Sequence, residues 1–384
     1  FIERSQTTPV LSTQVWESLL NEWDEAAKIL IVGGQHEKSE KLNIALTKIT
    51  EELDVPVIGD SIANLSGSPL FIHHQDFILS DQGDASELVP DLLITYGLSL
   101  MSKELKLFLR KYPATKHWHI GNDGVWADPL QSVTRQIAVD ATWFFESIFE
   151  KIDYQLFVQN AEPENDGEYL VKWRQKEQEV SRKCEEYLKG VKSLNDLSAI
   201  HSLLDVIPDD RQLHIGNSMP IRYVNALGNT SRFEGLFCNR GTSGIDGSVS
   251  TAIGAALVNR KKTVLIVGDV AFLYDRNGLL IPNIPENLKI VVVNNGGGNI
   301  FRMIDGPARQ PELHAFFETR HQFTAKRTAE DAGLCYMSIS IAASIDEILR
   351  EFINYKGSCL LEVFTDPEEN ALVWKGLKSK MKTV

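Results

Sequence analysis

The stretch KTVLIVGDVAFLYDRNGLLIPNIPENLKIVVVNNGGGNIF, from Lys262 to Phe301, decides the fold of this chain. It opens with an apolar run at 264–267 that stops at Gly268-Asp269, and it closes with a second run at 290–293 that stops at Asn294-Asn295. Short β-branched runs cut off by Gly or Asn are typical of central strands in a parallel sheet. The segment between them is long enough for a crossover helix, predicted over 272–281. The stretch therefore predicts a strand–helix–strand unit of an α/β protein.

Composition restricts the class of protein. The 384 residues are 43% hydrophobic and 24% charged, which is ordinary for a globular protein, and the formal net charge is −13. An acidic balance argues against non-specific binding to nucleic acid or to an anionic membrane, since both need a basic surface. No apolar run approaches the roughly 18 residues of a membrane span. The four cysteines are scattered without a CxxC pair, which favours reduced thiols and a cytoplasmic location.

The chain divides into two predicted α/β domains, 1–160 and 161–384, at a polar, acidic linker over 160–167. In the first domain, apolar runs alternate with helical segments, as in a Rossmann-like sheet covered by helices. Its first strand ends at Gly33-Gly34, but the full G-x-G-x-x-G of a dinucleotide site is missing. We therefore expect a tight strand-to-helix turn there and no cofactor of its own.

The second domain repeats one pattern four times: an apolar strand followed by a polar turn. The four turns are Gly216-Asn217-Ser218, Asn239-Arg240-Gly241, Gly268-Asp269 and Asn294-Asn295. The carboxyl ends of parallel strands meet at one edge of a sheet, where open α/β sheets bind ligands. Carboxylate and amide oxygens, with a backbone carbonyl from the glycines at 296–298, suit Mg²⁺ and the phosphates it bridges. The alternative for Asp269 by itself is a helix N-cap.

The spacing between the second pair of turns carries a resemblance. Asp269 and Asn295 are 26 positions apart (295 − 269), and the two turns resemble the GD…NN signature of thiamine diphosphate enzymes. The longer segments 216–218, 239–247 and 294–301 resemble, more narrowly, the 2-succinyl-5-enolpyruvyl-6-hydroxy-3-cyclohexene-1-carboxylate synthase family of menaquinone biosynthesis. The resemblance covers essentially the whole chain.

The resemblance implies a transferase that uses thiamine diphosphate and Mg²⁺ or Mn²⁺. It would decarboxylate 2-oxoglutarate and add the four-carbon unit to isochorismate. In this family the site forms between subunits, which implies a homodimer or homotetramer. Domain 1–160 would be the central Rossmann-like domain, and 161–384 would be the domain that binds the diphosphate and the metal.

Roles for the cofactor site follow from the resemblance residue by residue. Asp269 and Asn295 would be side-chain metal ligands, and Gly297 would supply a carbonyl. Ile245 matches the apolar residue that holds the cofactor in a bent shape, although simple core packing is the alternative. The other candidate cofactor contacts are Gly268, Val270, Ala271, Phe272 and Asn299.

Substrate contacts are expected among the remaining polar and apolar residues of the turns. Arg222 and Arg240 follow strand-end turns, and Arg binds a carboxylate through a planar fork. A surface salt bridge is the ordinary alternative for any Arg. The other candidates are Lys103, which resembles a family lysine although Glu104 departs from the basic pair of some relatives, together with Asn217, Ser218, Ile300 and Phe301.

One part of the family pattern does not occur in these 384 residues. Thiamine enzymes use a Glu on a pyrimidine-binding domain that comes first in this family, and the chain begins at Phe1 with the central domain. We therefore expect the chain alone to release no carbon dioxide from 2-oxoglutarate, and no residue is assigned as catalytic. Two alternatives stay open: another thiamine carboligase such as an acetolactate synthase, and a non-catalytic fragment that binds a diphosphate.

Overall fold

The chain forms two compact units, Phe1–Val180 and Ser181–Thr383, each of which is described by itself. The computed structural model describes residues 10–80, 85–121, 128–159, 167–228, 230–259 and 261–382. Residues 160–166 of the predicted linker lie outside the described residues, and the predicted boundary at 160/161 remains a prediction. Among the helices of the described part, none has both the length and the apolar character that crossing a bilayer requires.

The first unit is built on a parallel sheet of five strands within the described residues, in the order β2-β1-β3-β4-β5. The strands are β1 (Ile29–Gly33), β2 (Val57–Gly59), β3 (Leu92–Tyr96), β4 (Lys116–Ile120) and β5 (Arg135–Ile137). The helices are α1 (Thr13–Asp24), α2 (Glu40–Leu53), α3 (Gln75–Ile78), α4 (Lys103–Lys111), α5 (Ala141–Gln159) and α6 (Glu168–Gly190), the last of which continues into the second unit. Every residue of β1 and β3 is buried, as expected for central strands covered on both faces.

The second unit is built on a parallel sheet of six strands within the described residues, in the order β10-β11-β9-β8-β6-β7. The strands are β6 (Arg211–Ile215), β7 (Gly235–Phe237), β8 (Lys262–Gly268), β9 (Leu288–Asn294), β10 (Cys335–Ile339) and β11 (Cys359–Phe364). The helices are α7 (Asp196–Val206), α8 (Met219–Leu227), α9 (Ser248–Asn259), α10 (Asp269–Asp275), α11 (Ile300–Met303), α12 (Asp305–Ala308), α13 (Lys326–Asp331), α14 (Ile345–Asn354) and α15 (Pro367–Met381).

The predicted fold class, two parallel sheets covered by helices, is confirmed. Strand β8 pairs in parallel with β9, with Leu265 opposite Ile290 and Val267 opposite Val292. These side chains belong to the core between the sheet and the helices that cover it, including Val249 and Phe272. Because β9, β8, β6 and β7 are neighbours and all parallel, their carboxyl ends share one edge.

The crossover after β8 differs from the prediction. Helix α10 begins at Asp269 and ends at Asp275, and a 3₁₀ turn, Arg276–Leu279, completes the connection. The predicted helix over 272–281 therefore begins three residues too late. Gly268 is the N-cap, so Asp269 is the first helical residue and does not have the N-cap role considered for it.

Candidate functional site

Asp269 lies at the carboxyl end of β8 and is 4% exposed. Its Oδ1 accepts a hydrogen bond from the Val270 N–H at 2.7 Å, and its Oδ2 accepts one from the Gly297 N–H at 2.9 Å. The second bond joins the turn after β8 to the turn after β9. The structure therefore brings together the carboxylate and the glycine turn that the sequence analysis assigned to a metal.

The turn after β9 contains two asparagines with different surroundings. Asn294 uses both ends of its amide: Nδ2 donates to Glu362 Oε1 at 2.7 Å and to the Phe323 carbonyl at 3.0 Å, and Oδ1 accepts from the Gly296 N–H. Asn295 donates through Nδ2 to Asp196 Oδ2 at 2.9 Å, but its buried Oδ1 has no hydrogen-bond partner among the described residues. Of the two side chains, Asn295 thus has a buried acceptor available to a ligand.

Asp196, the first residue of α7, stands behind Asn295 and was not singled out by the sequence analysis. Its carboxylate also accepts from Thr365 Oγ1 at 2.5 Å and Asn370 Nδ2 at 2.8 Å. Burial raises the pKa of Asp196 to about 6; its hydrogen bonds lower this pKa, and the charge of Asp269 raises it. Two carboxylates therefore lie close together at this edge, an arrangement that a bound cation stabilises.

A segment after α12 covers the glycine turn. The Gly298 N–H donates to the Glu318 carbonyl, and the His321 N–H donates to the Gly296 carbonyl at 3.1 Å. His321 Nε2 lies 3.1 Å from Asp269 Oδ2, a close ionic contact without the alignment of a hydrogen bond. The neighbouring carboxylate raises the pKa of His321. His321 was missed because it follows none of the four strand-end turns on which the sequence prediction of the site was based.

The glycines show where a ligand has room. A Cβ on Gly268 would meet no described atom within 4 Å, and its φ of −74° is open to any residue, so nothing in the described part of the chain requires glycine there. A Cβ on Gly297 would overlap the Glu318 carbonyl oxygen, so there the covering segment itself requires glycine. Asn299 is buried, and neither its Oδ1 nor its Nδ2 has a hydrogen-bond partner in the part of the chain that the structure describes. Open space at Gly268 and unpartnered polar atoms on Asn295 and Asn299 fit a polar ligand with a cation.

The residues predicted to contact the cofactor at α10 and after β7 have distinct surroundings. Val270 is half-buried, Ala271 and Phe272 are buried in the core, and the backbone N–H groups of all three lie in the first turn of α10. First-turn amides have no backbone acceptor within the helix, and of these three the Val270 N–H donates to the Asp269 side chain. Ile245 is half-buried and packs against the core cluster of the second unit, so one part of its surface faces away from that core.

Asn217 joins the turns after β6 and β7. Its Nδ2 donates to the carbonyls of Asn239 and Gly244, both at 2.6 Å, and its Oδ1 accepts from Arg240 Nη1 at 2.9 Å. Asn217 is 1% exposed, so the structure makes it a support for Arg240. Ser218, next in the chain, has a φ of +76°, a conformation that is strained for a residue other than glycine.

The remaining predicted substrate residues lie in three places. Arg222 is exposed in the first turn of α8, and Ile300 and Phe301 are half-buried at the start of α11. The Phe301 ring packs against Phe317, with centroids 5.6 Å apart. Lys103 is exposed at the start of α4 in the first unit. Their substrate contacts stay predictions.

The metal site proposed from the sequence has one carboxylate and two neutral oxygens. Consistent with that composition, the described residues contain no group of three or more His, Cys, Asp or Glu side chains that could hold a metal ion. Two histidines of the first unit have structural partners: His74 Nδ1 lies 2.7 Å from Glu177 Oε1, and His117 contacts Thr95 and Ser132. The buried Glu177 carboxylate also accepts from the His73 and His74 backbone N–H groups.

Two protein-family models match the chain. The model described as the middle domain of thiamine pyrophosphate enzymes matches residues 3–215, and the C-terminal TPP-binding domain of thiamine pyrophosphate enzymes matches residues 223–363. The second match includes Asp269, Asn295 and the glycine turn.

Curated relatives share one name. The chain is 36% identical over 380 residues to a 2-succinyl-5-enolpyruvyl-6-hydroxy-3-cyclohexene-1-carboxylate synthase of Cytophaga hutchinsonii, covering 98% of this chain and 65% of the relative. It is 32% identical over 372 residues to the synthase of Flavobacterium johnsoniae, covering 95% and 65%. It is 32% identical over 379 residues to that of Porphyromonas gingivalis, covering 98% and 64%. The chain thus spans about 65% of the length of these relatives.

Proposed function

The chain belongs to the thiamine pyrophosphate enzyme family, and on that premise we propose that it serves a 2-succinyl-5-enolpyruvyl-6-hydroxy-3-cyclohexene-1-carboxylate synthase of menaquinone biosynthesis. This transferase decarboxylates 2-oxoglutarate and adds the four-carbon unit to isochorismate. We place it in the cytoplasm, as a homodimer or homotetramer. Thiamine diphosphate, when bound, supplies the electron sink for decarboxylation.

The observation that carries the proposal is the buried, unpartnered Asn295 Oδ1 beside the turn that hydrogen-bonds to Asp269. In this proposal the Asp269 carboxylate, Asn295 Oδ1 and the Gly297 carbonyl hold Mg²⁺ or Mn²⁺, oxygen ligands of the kind these ions prefer. The first-turn amides of α10 and the polar atoms of Asn299 bind the diphosphate, and Gly268 leaves room for its approach.

The substrates require cations beside apolar surface. Both 2-oxoglutarate and isochorismate have two carboxylates, and Arg240, oriented by Asn217, presents a guanidinium at the strand-end edge. Arg222 and Ser218 complete the proposed polar contacts of the second unit, and Lys103 of the first unit stays a predicted substrate contact. Ile300 and Phe301 form the apolar wall, and Ile245 supports the bent cofactor.

Calorimetry tests the cofactor assignment. Thiamine diphosphate titrated into the chain with Mg²⁺ is expected to give saturable heat that disappears without the metal, and Asp269→Ala is expected to abolish it because the only charged ligand is lost. Asp275→Ala is the matched control, since Asp275 ends the same helix and hydrogen-bonds to Ser250. Its binding heat should remain.

Two outcomes would count against the proposal. Absence of heat with the wild type would remove the cofactor claim, and equal heat from Asp269→Ala would remove the metal site. The alternative carboligases differ in the charge of the donor substrate. In a catalytically active form of the enzyme, faster decarboxylation of a monocarboxylate donor than of 2-oxoglutarate would favour an acetolactate synthase type of reaction.

A further inference from the structure

Asp196 is held in one orientation by groups from two other segments. Its carboxylate accepts from Thr365 Oγ1 and Asn370 Nδ2 through Oδ1 and from Asn295 Nδ2 through Oδ2. Its own N–H donates to Asn370 Oδ1 at 2.8 Å, so Asn370 contacts both its backbone and its side chain. The helix it begins is fixed by a capping box between Asn195 and Ser198. The position and rotation of this carboxylate are therefore determined by the fold.

An ionised carboxylate only accepts hydrogen bonds, whereas an amide has one accepting end and one donating end. Asn295 must therefore turn its NH₂ group toward Asp196, and its Oδ1 necessarily faces the opposite way. That Oδ1 is the buried atom without a partner. With the amide reversed, the NH₂ group would point into the proposed metal site and would repel a cation.

We propose that Asp196 is the positioning residue for the metal site: by accepting a hydrogen bond from Asn295 Nδ2, it fixes the Asn295 amide with Oδ1 toward the cation. This inference rests on the proposed function, because it assumes a metal at Asp269 and Asn295. Asp196 makes no contact with the metal in this account. Partners behind metal ligands commonly orient them in this way.

The geometry predicts how exchanging the two side chains behaves. In Asp196→Asn, the new oxygen satisfies Thr365 and Asn370, which leaves an NH₂ group facing the NH₂ of Asn295. Asn295 then reverses and loses its metal-facing oxygen. In the double variant Asp196→Asn/Asn295→Asp, the NH₂ of residue 196 donates to one carboxylate oxygen of residue 295. The other oxygen faces the metal again.

The test is Mn²⁺ titration of the full chain at pH 8 in the presence of thiamine diphosphate. Free Mn²⁺ is read by electron paramagnetic resonance, and a titration without protein is subtracted. Asp196→Asn is expected to weaken Mn²⁺ binding about 10–100-fold, the range for orienting partners of metal ligands. The double variant is expected to return to within about threefold of the wild type, because the interaction is restored in reversed polarity.

Asp60→Asn is the matched control. Asp60 and Asp196 are both 2% exposed, and the hydrogen-bond partners of Asp60 all lie in the first unit. Removing this buried charge is expected to leave Mn²⁺ affinity within about threefold of the wild type. It controls for a general effect of losing a buried carboxylate.

The outcomes separate this inference from the function it rests on. Wild-type affinity in Asp196→Asn would overturn the positioning role while the metal site stands. Weak Mn²⁺ binding in both the single and the double variant would indicate that Asp196 has only a structural role, and this result would also overturn the positioning role. A wild-type chain that binds no Mn²⁺ would overturn the proposed function and this inference together.

Discussion

The two sheets treat the carboxyl ends of their central strands differently. In the first unit, the loops after β1 and β3 bond to each other: the Gly34 N–H donates to the Tyr96 carbonyl at 2.8 Å, and the Leu98 N–H donates to the Gln35 carbonyl at 2.9 Å. A Cβ on Gly33 would lie 2.6 Å from the Tyr96 hydroxyl, so this crevice is filled by the chain itself. In the second unit, the corresponding edge keeps open space at Gly268 and an unpartnered oxygen on Asn295.

Two buried carboxylates show the same difference. Burial raises the pKa of both Asp60 and Asp196 to about 6. Asp60 accepts from the Met101 and Ser102 backbone N–H groups, so it fixes a loop of the first unit. Asp196 accepts hydrogen bonds from three side chains, and one of them, Asn295, has its Oδ1 on the side away from Asp196. The shared sheet topology thus does not determine where a ligand binds. Ligand binding depends instead on which polar groups the strand-end loops leave without a hydrogen-bond partner.

The largest effect is expected where a buried polar group of the first unit serves only the fold. Glu177 is 6% exposed and pairs with His74, which is 7% exposed. Glu177→Gln should lower the free energy of unfolding by about 3 kcal/mol at pH 6, because the buried His74 loses the carboxylate that stabilises its charged form. The loss should shrink to about 1 kcal/mol at pH 9, where the neutral imidazole can accept from the Gln NH₂.

The pH window follows from the pKa shifts of the pair. Burial opposes both charges, but His74 holds the pKa of Glu177 at about 2, below its ordinary 4.5. The stability that ionised Glu177 contributes is therefore lost as the pH falls through about 2. Glu177 raises the pKa of His74 above 6.5 despite burial. The stability that protonated His74 contributes is therefore lost as the pH rises through this raised pKa. Between pH 4.5 and 6.5 both contributions are present.

Tryptophan fluorescence during thermal unfolding measures this effect, because six of the seven tryptophans lie in residues 1–180. Glu168→Gln is the matched control: Glu168 is on the same helix in an exposed pair with Lys172, and its loss should cost less than about 0.5 kcal/mol. A loss in Glu177→Gln that is equal at pH 6 and pH 9 would contradict the ionic account of the pair.

The next-largest effect is expected at the neighbouring asparagines of the second unit, Asn294 and Asn295. Asn295→Ala should weaken Mg²⁺-dependent thiamine diphosphate binding by more than about tenfold, since it removes a proposed ligand. Asn294→Ala should instead lower the free energy of unfolding by about 1–3 kcal/mol, because it removes a hydrogen bond to the buried Glu362 carboxylate. Calorimetric binding and thermal unfolding of both variants check this division, and the reverse pattern would break it.

The central strands of the second sheet could be predicted from the sequence because their signals are local. The runs at 264–267 and 290–293 lie within β8 and β9. Burial on both faces makes such strands uniformly apolar, so composition alone marks them. Strand β10 was missed because it is an edge strand, and of its residues only Ile339 is fully buried.

The candidate site was predicted only where a motif carried it. Asp269 and Asn295 follow strands, and their spacing is a recognisable signature. Asp196 is separated from Asn295 by 99 positions and has no pattern of its own beyond beginning a helix. Asn217 was predicted to contact substrate, but its role toward Arg240 depends on carbonyls in a loop more than 20 positions away. Contacts of this kind depend on tertiary structure that no local pattern records.

The smallest effect concerns backbone conformation at two strand ends with the same φ of +76°. The first unit has Gly97 there, and the second has Ser218. Ser218→Gly should raise the free energy of unfolding by about 1 kcal/mol, because it relieves strain and the Ser side chain makes no cap hydrogen bond.

Gly97→Ala is the matched opposite change, since its Cβ would lie 2.9 Å from the Gln35 carbonyl, and it should lower the free energy of unfolding by about 1–3 kcal/mol. Differential scanning calorimetry measures both. A strained Ser is retained where its hydroxyl has a use, so the stabilised Ser218→Gly chain should bind thiamine diphosphate normally, and any loss should fall on substrate. If Ser218→Gly were less stable than the wild type, the strain at this strand end would not be stored for function, and the contrast with Gly97 would fail.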